Sequence, residues 1–220
     1  MSVKQALNER FSCRKFTSEY PSDQVVRELL TQAQRTASWC NTQPWAVHIV
    51  KGQMLKELSD ALVLEANSGR KPEPDILFPE KYIGEYKERR KVCGLQLYQS
   101  VGIQRGDIDA THEQLLENFR FFGAPYVAFI STPQELGTYG AVDCGLYVSS
   151  FMLVAHEMGL AAIAQAALAS YPDVVRRFLP IEEGRDLLCG ISFGLQDESH
   201  PVNSYRTERA VIDSAVQFHT

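Results

Sequence analysis

The sequence predicts a single domain in which helices and short strands alternate. Three observations predict it. The chain has 220 residues, 45% hydrophobic and 22% charged, which suits one domain, or one domain carrying an insertion, with a large core. Apolar residues recur at helical spacing in several segments, as at Val25, Val26, Leu29, Leu30 and Ala33. Between them stand short β-branched and aromatic runs bounded by turn residues, at 45–50, 126–131 and 187–194.

In chain order, residues 3–10 predict a short helix. Residues 10–16 (Arg-Phe-Ser-Cys-Arg-Lys-Phe) predict an extended stretch in which Arg10, Ser12 and Arg14 share one face. That pattern reads equally as an anion cradle or as a solvated basic turn. Pro21-Ser22-Asp23 opens the next helix, with Ser22 as N-cap and Asp23 near its positive end. The loop 37–45, Ala-Ser-Trp-Cys-Asn-Thr-Gln-Pro-Trp, is polar and uncharged. It is either a hydrogen-bonding rim for a flat ligand or a loop whose groups satisfy one another. His48 lies inside the following strand as a packing residue.

Residues 53–66 predict an amphipathic helix through Leu55, Leu58, Leu62 and Leu64. Four turn-forming residues, Gly69, Pro72, Pro74 and Pro79, then break all periodicity. Helices return at 81–101 and 109–118, and the polar character of 67–110 marks it as an insertion over the core that forms a lid and substrate region. Residues 137–140 read as a turn. The apolar run 141–158 reads as a helix buried on all sides, within the subunit and against a second one. Small residues at 161–168 let a ligand approach the backbone. A short helix to Leu179 and a buried strand at 187–194 follow. Residues 195–220 have no core of their own and read as an arm that needs another surface.

Composition narrows the function. The formal net charge is -5 and no basic run exceeds Arg89-Arg90-Lys91, so nucleic acid is not expected as a partner. Five cysteines with no CxxC point to free thiols and no metal site. The N-terminus lacks a signal-peptide core, and the longest uncharged apolar run, 144–155, is short for a bilayer. A soluble cytoplasmic protein with no membrane partner is expected. The dinucleotide, Walker, hydrolase-elbow and zinc-protease motifs are absent. Two remote arginine clusters, a polar loop and a small-residue stretch remain, a set that suits a mononucleotide with one phosphate and a flat ring.

Five pieces in order carry a resemblance to the nitroreductase family of FMN-dependent flavoproteins. They are Arg10-x-Ser12-x-Arg14-x-Phe16; Ala37-Ser38-x-x-Asn41-x-Gln43-Pro44-Trp45; Phe122-Gly-Ala-Pro125; Gly159-Leu160 with the small residues after it; and Asn203-x-x-Arg206-x-x-Arg209. The chain departs from the family at Ala37, where proline usually precedes the serine. Residues 159–167 resemble the branch that reduces nitroaromatic acids.

The resemblance implies an α+β fold: a central, mostly antiparallel sheet wrapped by helices, in an intertwined homodimer with swapped C-terminal arms. It implies that Arg10, Ser12, Arg14, Arg206 and Arg209 hold the FMN phosphate and ribityl chain. Ser38, Asn41 and Gln43 would face the flavin from the other subunit, and the backbone at Gln165 and Ala166 would donate to its N5. The electron donor would be NADH or NADPH, and the acceptor a small nitroaromatic or quinone-like molecule in ping-pong turnover, with no catalytic side chain and no metal. Dehalogenation of halophenols and simple flavin storage remain alternatives. Tyr82, Tyr86, Arg89 and Phe122 are candidate substrate contacts, with Arg14 a candidate for stabilising the reduced ring.

Overall fold

The computed structural model describes residues 1–220. Its centre is one four-stranded antiparallel sheet in the order β1-β2-β4-β3, from β1 (Ala46–Lys51), β2 (Tyr126–Pro133), β3 (Ala161–Gln165) and β4 (Arg185–Gly194). The register pairs His48 with Phe129, Ala128 with Ile191, and Ile163 with Ser192. Seven helices surround it: α1 (Val3–Glu9), α2 (Asp23–Ala33), α3 (Gly52–Asn67), α4 (Gly84–Ser100), α5 (Ile108–Leu116), α6 (Gly137–Glu157) and α7 (Pro172–Phe178).

Strand alternation splits the core between the two faces of the sheet. Val127, Phe129 and Leu187 point to one face, where α3 and α7 bring Leu55, Leu58, Leu62, Val174 and Val175. Ala128, Ile130, Ile191 and Phe193 point to the other, where α2 and α6 bring Val26, Leu29, Tyr147 and Phe151. Because both faces are covered, β2 is buried along nearly its whole length. Gly190 permits the tightest packing. A Cβ there would stand 2.4 Å from Leu168 Cδ1, so only glycine lets the turn after β3 lie on β4.

Several expected elements are adjusted. Leu64 is 72% exposed, and the core face of α3 runs through Leu55, Leu58 and Leu62, flanked by Ala61, Val63 and Ala66. Residues 137–140 are not a turn but the first turn of α6, which Gly137 opens with a positive φ of 50°. With its flanking turn, 134–157 is long and apolar enough to cross a bilayer by composition, at mean hydropathy 1.2. Tyr147, Phe151 and Ala155 instead pack it on the sheet. Nor is α6 buried all round within one chain: Tyr139, Val142 and Leu146 form an exposed apolar stripe at helical spacing.

The segment 67–79 lacks regular structure but is firmly attached. Arg176 grips Asp75 with two bonds of 3.1 and 2.6 Å, and Asp75 also accepts from the Leu187 amide. Arg70 reaches Glu65, Glu73 and Asp173. Beyond it, α4 has no buried residue.

Candidate functional site

The segment 10–17 forms the floor of the site. It runs beside the free edge of β3, with a parallel bridge between Ser12 and Ala162 and a bond from the Cys13 amide to the Ala162 carbonyl. On its other side the chain after β4 pairs with it: the Thr17 amide donates to Leu195, and the Asp197 amide to Lys15. Cys13 and Phe16 anchor it in a small apolar cluster with Phe122, Ala124 and Ile163. Cys13 and Phe16 thus go inward, and Arg10, Ser12 and Arg14 stay partly exposed.

Asn203 brings the C-terminal arginines to the same place. It is buried, accepts from the Arg14 amide at 2.9 Å, and donates to the carbonyls of Lys15 and Asp197. Nearly its whole amide valence is spent tying the tail to the floor. Arg206 then lies 3.6 Å from the ring centroid of Phe11 and is braced by the carbonyls of Asn203 and Tyr205.

The result is a cavity of about 210 Å³ lined by Arg10, Ser12, Arg14, Arg206 and Arg209, with Asn8, Cys93 of α4 and Tyr205 completing its polar wall. No acidic side chain lines it, and none of its four guanidinium groups forms a salt bridge. Arg10 is the most exacting member. Its Nε is buried without a partner. Burial, then the nearby Arg209 charge, push its pKa below the usual arginine value. Cations crowded together and partly desolvated are costly unless an anion joins them. Arg14 bonds the Ser12 carbonyl and sits 5.9 Å from the Tyr205 ring centroid, within the cavity.

The polar loop is elsewhere. Ser38 accepts from the Gln43 amide at 2.9 Å, and the Gln43 side chain donates to Asn41 and accepts from Gln34. Both carboxylate oxygens of Asp143, a buried residue on α6, accept from the Trp39 amide. Cys40, Asn41 and Gln43 have positive φ angles of 49°, 57° and 48°. Asp143 and His156, a wall residue of the cavity adjoining Arg10, lie thirteen residues apart on α6, a span of about 20 Å. Within one chain, Ser38, Asn41 and Gln43 therefore do not join the arginines.

Gln165 ends β3, on the strand beside Ser12. Its carboxamide is committed to Ser192 and Asn118, which leaves the backbone of Gln165 and Ala166 as the groups available to a ligand. Phe122 is 2% exposed and packs in the cluster under the floor, so its ring has no face for a substrate, contrary to the expectation. Its backbone carbonyl accepts from the Phe16 amide. Tyr82 and Tyr86 stand exposed at and just before the start of α4. Arg89 is paired with Glu85 and borders a cavity shared with Cys93, Thr207 and Arg209, on the arginine side of the helix. The sequence reading missed Phe11, Asn203 and Asp143 as organisers of the two regions. Phe11 adjoins Arg10 and Asn203 heads the arginine motif of the tail, whereas nothing in the local sequence marks Asp143, whose role comes from a contact 104 residues away.

This floor and cavity define an α+β protein with an arginine-rich, acid-free cavity at a sheet edge. Residues 7–195 match the Nitroreductase family, and the chain belongs to that family. It is 34% identical over 218 residues to nitroreductase NfnB of Mycolicibacterium smegmatis, covering 99% of this chain and 92% of the relative. To a 4-nitrobenzoate reductase of Pseudomonas putida it is 30% identical over 210 residues, covering 95% and 92%. The crystal structure of the FMN-dependent nitroreductase NfnB from Mycobacterium smegmatis in complex with NADPH superposes with a TM-score of 0.94 at 33% identity, covering 99% of this chain and 98% of that one.

Proposed function

We propose that this chain is an FMN-dependent NAD(P)H oxidoreductase that reduces small nitroaromatic or quinone-like acceptors, working as a soluble cytoplasmic homodimer. One observation carries the reading: four guanidinium groups without a salt bridge and Ser12 line one acid-free cavity, and Arg10 Nε has no partner. A phosphate monoester fits that donor set, because it is an anion with three strong acceptor oxygens. The names of the relatives support the flavin and the acceptor class.

Bound FMN supplies the redox chemistry, taking a hydride from the nicotinamide and passing electrons to the acceptor. The chain's own contribution is anchoring and orientation. Arg10, Ser12, Arg206 and Arg209 hold the phosphate. Arg14, one strand pitch further along the floor, binds toward the ribityl chain and offers positive charge to the ring. The backbone at Gln165 and Ala166, about 10 Å from Ala162 along β3, is placed to meet the ring edge. Charges fixed in this way need no reorganisation during electron transfer.

A second copy completes the site in this reading. The exposed stripe Tyr139, Val142 and Leu146, with Trp39 beside it, is the docking face. Docking there brings Ser38, Asn41 and Gln43 of one chain toward the cavity of the other. Residues 195–205 of the expected arm pack on the chain's own floor, and the part beyond them, whose Val211, Ile212 and Phe218 are exposed, wraps the partner. The region 67–110, with Tyr82 and Tyr86, covers the acceptor side.

The test is a visible absorption spectrum of the purified protein under anaerobic conditions. A yellow protein that bleaches with NADH or NADPH and recovers its colour with a nitroarene is the expected result. A colourless protein that takes up no added FMN overturns the reading. Retention of FMN without any turnover of either nicotinamide would instead indicate a flavin-storage role.

A further inference from the structure

Tyr205 stands between the two arginines of the tail motif and the helix α4, and the nitroreductase resemblance gives it no role. Its hydroxyl is buried in the wall of the arginine cavity, with no hydrogen-bond partner. Arg14 lies beside its ring, 5.9 Å from guanidinium carbon to ring centroid, and acts on the oxygen without reaching the geometry of a full hydrogen bond. A buried phenol left without a partner costs roughly 1–3 kcal/mol, so such groups are rare unless something else binds them. Burial, offset in part by the Arg14 charge, raises the phenol's pKa, which keeps its proton at neutral pH.

The cavity therefore holds two buried polar atoms that lack partners, Arg10 Nε and the Tyr205 oxygen. Both are N–H or O–H donors. No acceptor side chain of this protein is carboxylate in that cavity. Two donors without partners, in residues that line one acid-free cavity, suit a single acceptor with several oxygens.

We infer that Tyr205 is an additional phosphate-binding residue, whose hydroxyl donates to the cofactor's phosphate next to Arg10. The inference rests on the FMN reading and adds a specific consequence. Tyr205 recognises the phosphate and not the ring, so its loss should separate FMN from riboflavin. Because the ring of phenylalanine keeps the packing against Arg14, Tyr205→Phe removes only the hydroxyl.

The experiment titrates wild type and Tyr205→Phe with FMN and with riboflavin by flavin fluorescence, and follows the thermal midpoint of both proteins with and without inorganic phosphate. The expected result is FMN affinity lowered about ten-fold or more, as for a lost bond to a charged group, with riboflavin affinity unchanged. Phosphate should raise the midpoint of wild type more than that of the variant. Equal FMN affinities, or equal losses for FMN and riboflavin, overturn the role of Tyr205. If wild type itself takes up no FMN, the functional proposal fails, while the phosphate-induced difference in midpoint still decides whether Tyr205 binds the anion.

Discussion

The arginine cavity and the polar loop 37–45 are both polar regions at the rim of the same sheet, yet their accounts differ. In the loop the groups that fix its shape are already used: Ser38 by the Gln43 amide, Asn41 by the Gln43 side chain, and the Trp39 amide by Asp143. In the cavity none of the four guanidinium groups meets a carboxylate: Arg14, Arg206 and Arg209 bond only neutral oxygens of their own segments, and two donors are left without acceptors. A satisfied loop is a positioning device, held in an unusual backbone shape by its internal bonds. Positive φ at three non-glycine residues is a cost that such bonds must offset. An unsatisfied cluster of cations is a binding device, because an anion repays its desolvation. Chemistry of the residues alone does not distinguish the two; the partner count does.

The comparison can be broken most directly at Arg10. Arg10→Ala should weaken FMN binding by about 2–4 kcal/mol, roughly 30- to 1,000-fold, since it removes a desolvated charge-assisted donor. Lys15→Ala, which lies on the same segment but outside the cavity, should shift the same fluorescence titration by less than about two-fold. Comparable losses in both would mean that general positive charge, not the built cavity, binds the flavin.

If the loop acts only through a second chain, then Leu146→Asp on the exposed stripe of α6 should yield monomers in sedimentation. Its FMN affinity should drop by about ten-fold although the arginines are untouched, in line with roughly 1.4 kcal/mol of lost contacts. A monomer that binds FMN as tightly as the parent would show that the cavity is complete on its own. Asp143→Ala tests the latch that shapes the loop. Losing a buried acceptor for the Trp39 amide should cost about 1–3 kcal/mol in a urea titration. The smallest effect is expected from Ser38→Ala, about 1 kcal/mol or less, because one internal hydrogen bond is lost from a partly exposed site. FMN binding should also weaken below about pH 6, where a phosphate monoester takes up its second proton, while the guanidinium groups stay charged. A titration that is flat from pH 7 to pH 5 would contradict recognition of the dianion.

Much of this was legible along the chain. The unbroken apolar run of β2 and the helical spacing of α2 and α3 reflect burial on two faces and on one, so these elements appear in the sequence, whereas β3, built of small residues, was not read as a strand. Where it failed, the cause is tertiary. Leu64 fits the helical stripe by type but falls one residue off the face that α3 presents to β2. Phe122 looked like a pocket residue beside a Gly-Ala-Pro turn, but the fold turns its ring inward beneath the floor. The loop 67–79 shows no period, so nothing local marks how it is held. The Asp75–Arg176 pair that fixes it links residues 101 positions apart, which no local pattern records.

The sequence by itself determined which side chains this protein has for holding an anion, and in what local arrangement: Arg10, Ser12 and Arg14 alternate on an extended segment because backbone geometry sends every second residue to one side. Only the tertiary structure decided that Arg206, Arg209 and Tyr205 meet them. That meeting depends on a buried asparagine, Asn203, bonding to a strand almost two hundred residues away, and contacts of such separation come from packing, not from local conformational preference.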